Sequence, residues 1–158
     1  MYKKLKTGFG VSFIIVVAAG VFFQHKPMIV RMNNPHIAFI SATFGQDGTT
    51  YDCDISESRI PDELDDALTS LFLNTEIRRS IFSPPQSYTV SDGSVHITIK
   101  ILLDNSDSMS MFVNLCTKPG YNSAQFGDTH YYIVNHQKLY RDVYGLLSDI
   151  MSVYATKR

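Results

Sequence analysis

The chain has 158 residues, with 14 basic side chains against 15 acidic ones and a hydrophobic share of 44%. Charges this evenly balanced and dispersed exclude an electrostatic nucleic-acid binder, and the length allows one domain with a real core but not two. Tryptophan is absent, while 10 Phe and 9 Tyr residues supply packing or a contact surface.

From the N-terminus, Lys3, Lys4 and Lys6 precede an uncharged run from Gly8 to Phe23. A helix over that run is about 24 Å long, and extending it from Leu5 to Gln24 approaches the roughly 30 Å hydrocarbon core, because edge lysines snorkel. A secretory signal peptide cleaved near Ala18-Ala19-Gly20 is the alternative. The run stays apolar through Val21, Phe22 and Phe23, which favours an uncleaved anchor. The expected layout is a cytosolic stub at 1–7, a transmembrane helix at 8–24, a tether at 25–35 and a periplasmic domain at 36–158. The lysines ahead of the span put the N-terminus in the cytosol and the domain outside it, single-pass at a bacterial inner membrane.

Within the domain, HIAFISATF at 36–44 reads as a strand, GQDG at 45–48 as a turn and TTYDCDIS at 49–56 as a second strand. A helix is expected over 60–82. Pro61 suits its first position, Asp62, Glu63, Asp65 and Asp66 match the helix dipole, and Leu64, Ala67, Leu68, Leu71 and Phe72 form an apolar stripe. SPPQ at 83–86 ends it. Asp92-Gly93 then signals a hairpin between SYTV and SVHITIKIL. Val95, Ile97, Ile99 and Ile101 share one face of the second strand, the cleanest alternation in the chain. DNSD at 104–107 is a turn, SMSMFVNLC at 108–116 a strand, residues 117–128 a loop and THYYIVN a further strand. A terminal helix carries Leu139, Val143, Leu146, Leu147, Ile150 and Tyr154. The fold class expected is α+β: a single N-terminal transmembrane helix plus a small domain with an antiparallel sheet and two helices.

Cys53 and Cys116 are the two cysteines. Outside the cytosol a pair in a small domain is expected to form a disulfide, within one chain or between two. Within one chain it would close a loop of about 63 residues and contribute roughly 4 kcal/mol on the chain-entropy model. Two buried free thiols are the alternative. Asp52 and Asp54 flank Cys53 and would raise its pKa, which opposes a catalytic thiol.

No arrangement of residues presents catalysis, a metal site or a cofactor site. The five histidines are scattered, and His130 and His136 have no metal-ligand spacing. No GxSxG elbow or Ser-xx-Lys pattern occurs. The acidic start at 62–66 is explained by the helix dipole. Two groups suit contact with a partner or an apolar ligand: the soft strand residues Met109, Met111 and Phe112, and the tyrosines Tyr131, Tyr132, Tyr140 and Tyr144. Packing in the core competes with that reading for both.

A basic stub, one anchor and a small exported α+β domain, carried by KKLK, the Gly8–Phe23 span, Cys53 with Cys116 and HITIKIL, resemble the small inner-membrane co-regulators of bacterial virulence operons. These are the ToxS-like and VtrC-like proteins, and the layout is most similar to the F-type regulators of the Myf and Psa fimbrial operons. The resemblance implies a non-enzymatic protein that binds and stabilises or activates a bitopic membrane transcription regulator, controlling virulence or fimbrial genes. It further implies a joint periplasmic pocket for an apolar ligand such as a bile salt, with DNA contacted by the partner alone. Two other classes fit the layout: a membrane-anchored immunity protein against an exported toxin, and an accessory subunit of a pilus or secretion machine.

Overall fold

Strict alternation builds the centre of the molecule. Along Val95–Leu102, Val95, Ile97, Ile99 and Ile101 are buried on one face while His96, Thr98 and Lys100 turn to the other. The computed structural model describes residues 24–28, 35–80, 89–103 and 109–158. In chain order these form β1 (His25–Pro27), β2 (His36–Gln46), β3 (Thr49–Ser56), α1 (Asp62–Leu73), β4 (Glu76–Arg79), β5 (Val95–Leu102), β6 (Ser110–Cys116), β7 (Ser123–Phe126), β8 (Thr129–Ile133), α2 (His136–Tyr154) and β9 (Thr156–Lys157). The strands make one sheet of order β1-β4-β8-β7-β6-β5-β2-β3-β9, antiparallel at every neighbouring pair.

That architecture corrects the expected fold class. The domain is dominated by a nine-stranded sheet, and no helix among the described residues is long and apolar enough to cross a membrane. The stub at 1–7 and the span at 8–24, Gln24 apart, lie outside the described residues. The strands that escaped the sequence reading have two to four residues each, too short for a period of two to register. β1 falls in the expected tether, β7 in the expected loop and β9 in the expected tail of the last helix.

β4 falls in the second half of the helix expected over 60–82, because α1 stops at Leu73. There the Asn74 side-chain amide donates to the Ser70 carbonyl at 2.9 Å, and the Thr75 hydroxyl donates to the Leu71 carbonyl at 2.8 Å. Those side chains serve carbonyls at the end of the helix and release the backbone into a strand. The hairpin expected at Asp92-Gly93 also differs. Residues 89–91 are not in a strand, and Asp92 instead bridges Gly45. The turn expected at 104–107 and the SPPQ segment lie outside the described residues.

Both helices pack on the same face. Ile40, Ile55, Ile97, Ile99, Val113 and Leu115 meet Leu68 and Phe72 of α1 and Leu139, Val143, Leu147 and Met151 of α2 in one core. Each fully buried aliphatic side chain contributes about 1.5–3 kcal/mol. A bulge at Ala38 lets Ile37 and Ile40, three residues apart, both face this core. The Ile37 N–H donates to the Asp65 carboxylate of α1 at 2.8 Å. Asp65 therefore ties helix to sheet, beyond suiting the dipole.

Candidate functional site

Two features of the sheet stand out: the face that neither helix covers, and one of its edges. The strand register sets, row by row, the face that neither described helix covers, called the uncovered face below. One row runs Asp54, Ser41, Thr98, Asn114, Ser123, Tyr132, Arg78, and the next runs Phe39, Lys100, Phe112, Gln125, His130. The polar members are knitted together. Thr98 Oγ1 donates to Asn114 Oδ1 at 2.9 Å, and Thr43 Oγ1 donates to Asp52 Oδ1 at 2.9 Å. The aromatic members stay outside this network, with Phe112 39% and Tyr132 44% exposed. Strand spacing and rise place those two rings about 12 Å apart on one surface. The Arg78 guanidinium sits 5.8 Å from the Tyr132 ring centroid. Burial pushes the His96 imidazole below its ordinary pKa.

The edge is defined by hydrogen-bond parity. Asp47 and Gly48 have φ of 51° and 71°, the left-handed pair that closes a two-residue hairpin between β2 and β3. Counting from that turn, the backbone groups of Thr50, Asp52, Asp54 and Ser56 point away from β2. β9 takes up the first part of this edge, where Arg158 N–H donates to the Thr50 carbonyl and the Thr156 hydroxyl to the Asp52 carbonyl. Beyond Asp52 no described strand pairs with β3 on that side, and both Asp54 and Ser56 are exposed. The opposite edge ends in the three-residue β1, whose Pro27 has no N–H to donate.

The sequence-derived surface residues divide. Phe112 and Tyr132 lie on the uncovered face, and Tyr144 is exposed on α2, stacked on Tyr140 at 5.9 Å between centroids. Met111 is buried, and Met109, Tyr131 and Tyr140 pack against the core. Phe39 was not singled out from the sequence, because the bulge that turns it outward is invisible in an apolar run. The Asp54–Ser56 edge was legible only as a strand; its openness depends on pairing between distant segments.

The two cysteines do not form the expected disulfide within the chain. Both are unbridged and buried. Cys53 faces the helices beside Ala42, and register carries that row through Ile97 to Leu115, so Cys116 points to the opposite face. Three strand spacings, about 14 Å, also separate them, against roughly 4.4–6.8 Å between Cα atoms in a disulfide. Burial, and then the charge of Asp54, pushes the Cys53 thiol pKa up. Burial raises that of Cys116 too, opposed by hydrogen bonds to the Lys118 and Tyr121 backbone and by the Lys118 charge. Neither is a poised nucleophile. Among the described residues no group of three His, Cys, Asp or Glu side chains converges as a metal site. No family model, curated protein or solved structure matches the chain.

Proposed function

We propose that this chain is a non-enzymatic co-regulator, a binding domain that stabilises or activates a bitopic membrane transcription regulator by pairing with its exported part. The observation that carries the reading is the open stretch of β3, where exposed Asp54 and Ser56 present backbone donors and acceptors on the side away from β2. An added strand gains its affinity from such main-chain groups. Phe112 and Tyr132 on the uncovered face add a second contact, since aromatic rings bury large areas at interfaces. The near-neutral charge leaves DNA contact to the partner.

The test is a pull-down from solubilised bacterial membranes with tagged full-length protein, read by mass spectrometry, for wild type and Asp54→Pro. Proline removes the outward N–H at an edge position where no described strand needs it. Wild type recovers a membrane protein with a cytosolic DNA-binding domain, and the variant loses it while keeping its thermal midpoint. Recovery of a secreted toxin or an envelope machine in its place would sink the reading.

A further inference from the structure

A half-open cleft of about 490 Å³ lies on the helix side, between the C-terminal half of α2 and the ends of β2, β3 and β5. Its sheet wall is aromatic: Phe44 and Tyr51 stack at 5.4 Å between centroids with their planes 17° apart. Tyr144 and Met151 form the helix wall, and Ser148 and Ser152 add hydroxyls. Those hydroxyls donate to the Gly145 and Asp149 carbonyls of their own helix, so toward the cleft they offer acceptor lone pairs.

The floor is fixed before anything binds. Gly45 N–H donates to the Ser94 carbonyl at 3.1 Å, Gly93 N–H to the Gly45 carbonyl at 3.0 Å, and Gly48 N–H to the Asp92 carboxylate at 2.8 Å. A side chain at Gly45 would run into the Ser91 carbonyl, so only glycine allows the two turns to meet this closely. No Asp, Glu, Lys, Arg or His lines the cleft. An ion entering it would lose hydration with no counter-charge to replace it, whereas a neutral ring loses little and gains stacking.

We propose that this cleft is a binding site for an uncharged, flat ring compound held between the Phe44–Tyr51 stack and Tyr144. Its volume lies within the roughly 300–1,000 Å³ of small-molecule sites, and one bound ring bridges α2 to the sheet. The site is on the other side of the sheet from Phe112 and Tyr132 and stands independently of the co-regulator reading.

The experiment titrates the full-length protein with N-phenyl-naphthylamine, an uncharged fluorescent ring compound. Wild type shows saturable enhancement at one site per chain. Tyr144→Ala, on a partly exposed side chain, weakens it roughly tenfold with an unchanged thermal midpoint, and Ser148→Phe, which fills the cleft, abolishes it. Phe112→Ser on the opposite face and Val153→Ser on the exposed side of α2 leave it unchanged. Absence of saturable binding, indifference to both cleft variants, or loss in Phe112→Ser would overturn the proposal. Tighter binding of the anionic anilinonaphthalene sulfonate would overturn the assignment to an uncharged ligand.

Discussion

β5 shows the helices Ile97, Ile99 and Ile101, and it shows the other side His96, Thr98 and Lys100. The same strand thus borders two media a few ångströms apart. On the helix side the contacts are apolar and non-directional, and their value scales with area removed from water. On the other side Thr98 and Asn114, and Thr43 and Asp52, satisfy each other and leave Phe112 and Tyr132 exposed on the same face. The difference separates two kinds of surface: the helix face holds the fold, and the polar, aromatic face leaves Phe112 and Tyr132 exposed.

The strongest way to break that contrast is to truncate adjacent residues of one strand. Ile99→Ala leaves a cavity under fully buried neighbours and should lower unfolding free energy by about 2–5 kcal/mol. Thr98→Ala should lower it by about 1 kcal/mol or less, through loss of one hydrogen bond. Denaturant titration of both measures the gap directly, and equal losses would erase the distinction between the faces.

A polar residue can still be structural where it is buried. Asn122 accepts the Cys116 N–H at 2.8 Å and donates to the Cys116 and Lys118 carbonyls at 3.2 and 3.3 Å, closing the end of β6. Asn122→Ala leaves the Cys116 amide short of its acceptor and should destabilise by about 1–3 kcal/mol in the same titration. Gly45→Ala, pressing on the Ser91 carbonyl, is expected to fall in the range of about 1–3 kcal/mol for overpacking.

The cysteines sharpen the comparison from both faces at once. With Cys53 and Cys116 on opposite sides, a reducing agent should leave the thermal midpoint unchanged at neutral pH. A bond worth roughly 4 kcal/mol would instead drop it by several degrees. Both thiols have raised pKa values in the folded state. The unfolded chain therefore loses its thiol protons first, and stability declines as pH rises above the ordinary thiol range.

The smallest effect belongs to His96, whose folded pKa lies below the unfolded value of 6.5. Below that value the unfolded state binds the additional proton, so stability falls modestly with falling pH until the folded imidazole also protonates. His96→Gln should flatten that limb of a pH-dependent melting series.

The sequence was readable where one segment carries its own period. The alternation of β5 and β6, the Asp47-Gly48 hairpin, and Leu139, Val143 and Leu147 in α2 all stand where the pattern puts them. It was unreadable where geometry depends on partners far along the chain. Ile77 falls off the helical stripe of Leu64, Leu68 and Leu71, but one apolar residue among four is too little to mark a strand, and pairing with Ile133 makes it one. Ser123–Phe126 reads as loop until β6 and β8 flank it. Leu146 fits the apolar stripe of α2 yet is exposed, while Met151 fills the core one turn beyond Leu147. Cysteine spacing gave no information on facing, which a single residue of register decides. The candidate site was visible as Phe112 and Tyr132, and its edge only after the strand order was known.

Amide hydrogen exchange at β3, in the free chain and then with the recovered regulator bound, tests the central claim most directly. An open β3 edge requires rapid exchange at Asp54 and Ser56 in the free chain, slow exchange at Cys53 and Ile55, whose amides face β2, and strong protection of Asp54 and Ser56 in the complex. Protection at Asp54 and Ser56 in the free chain, or a complex that protects the helices and leaves β3 unchanged, would contradict it.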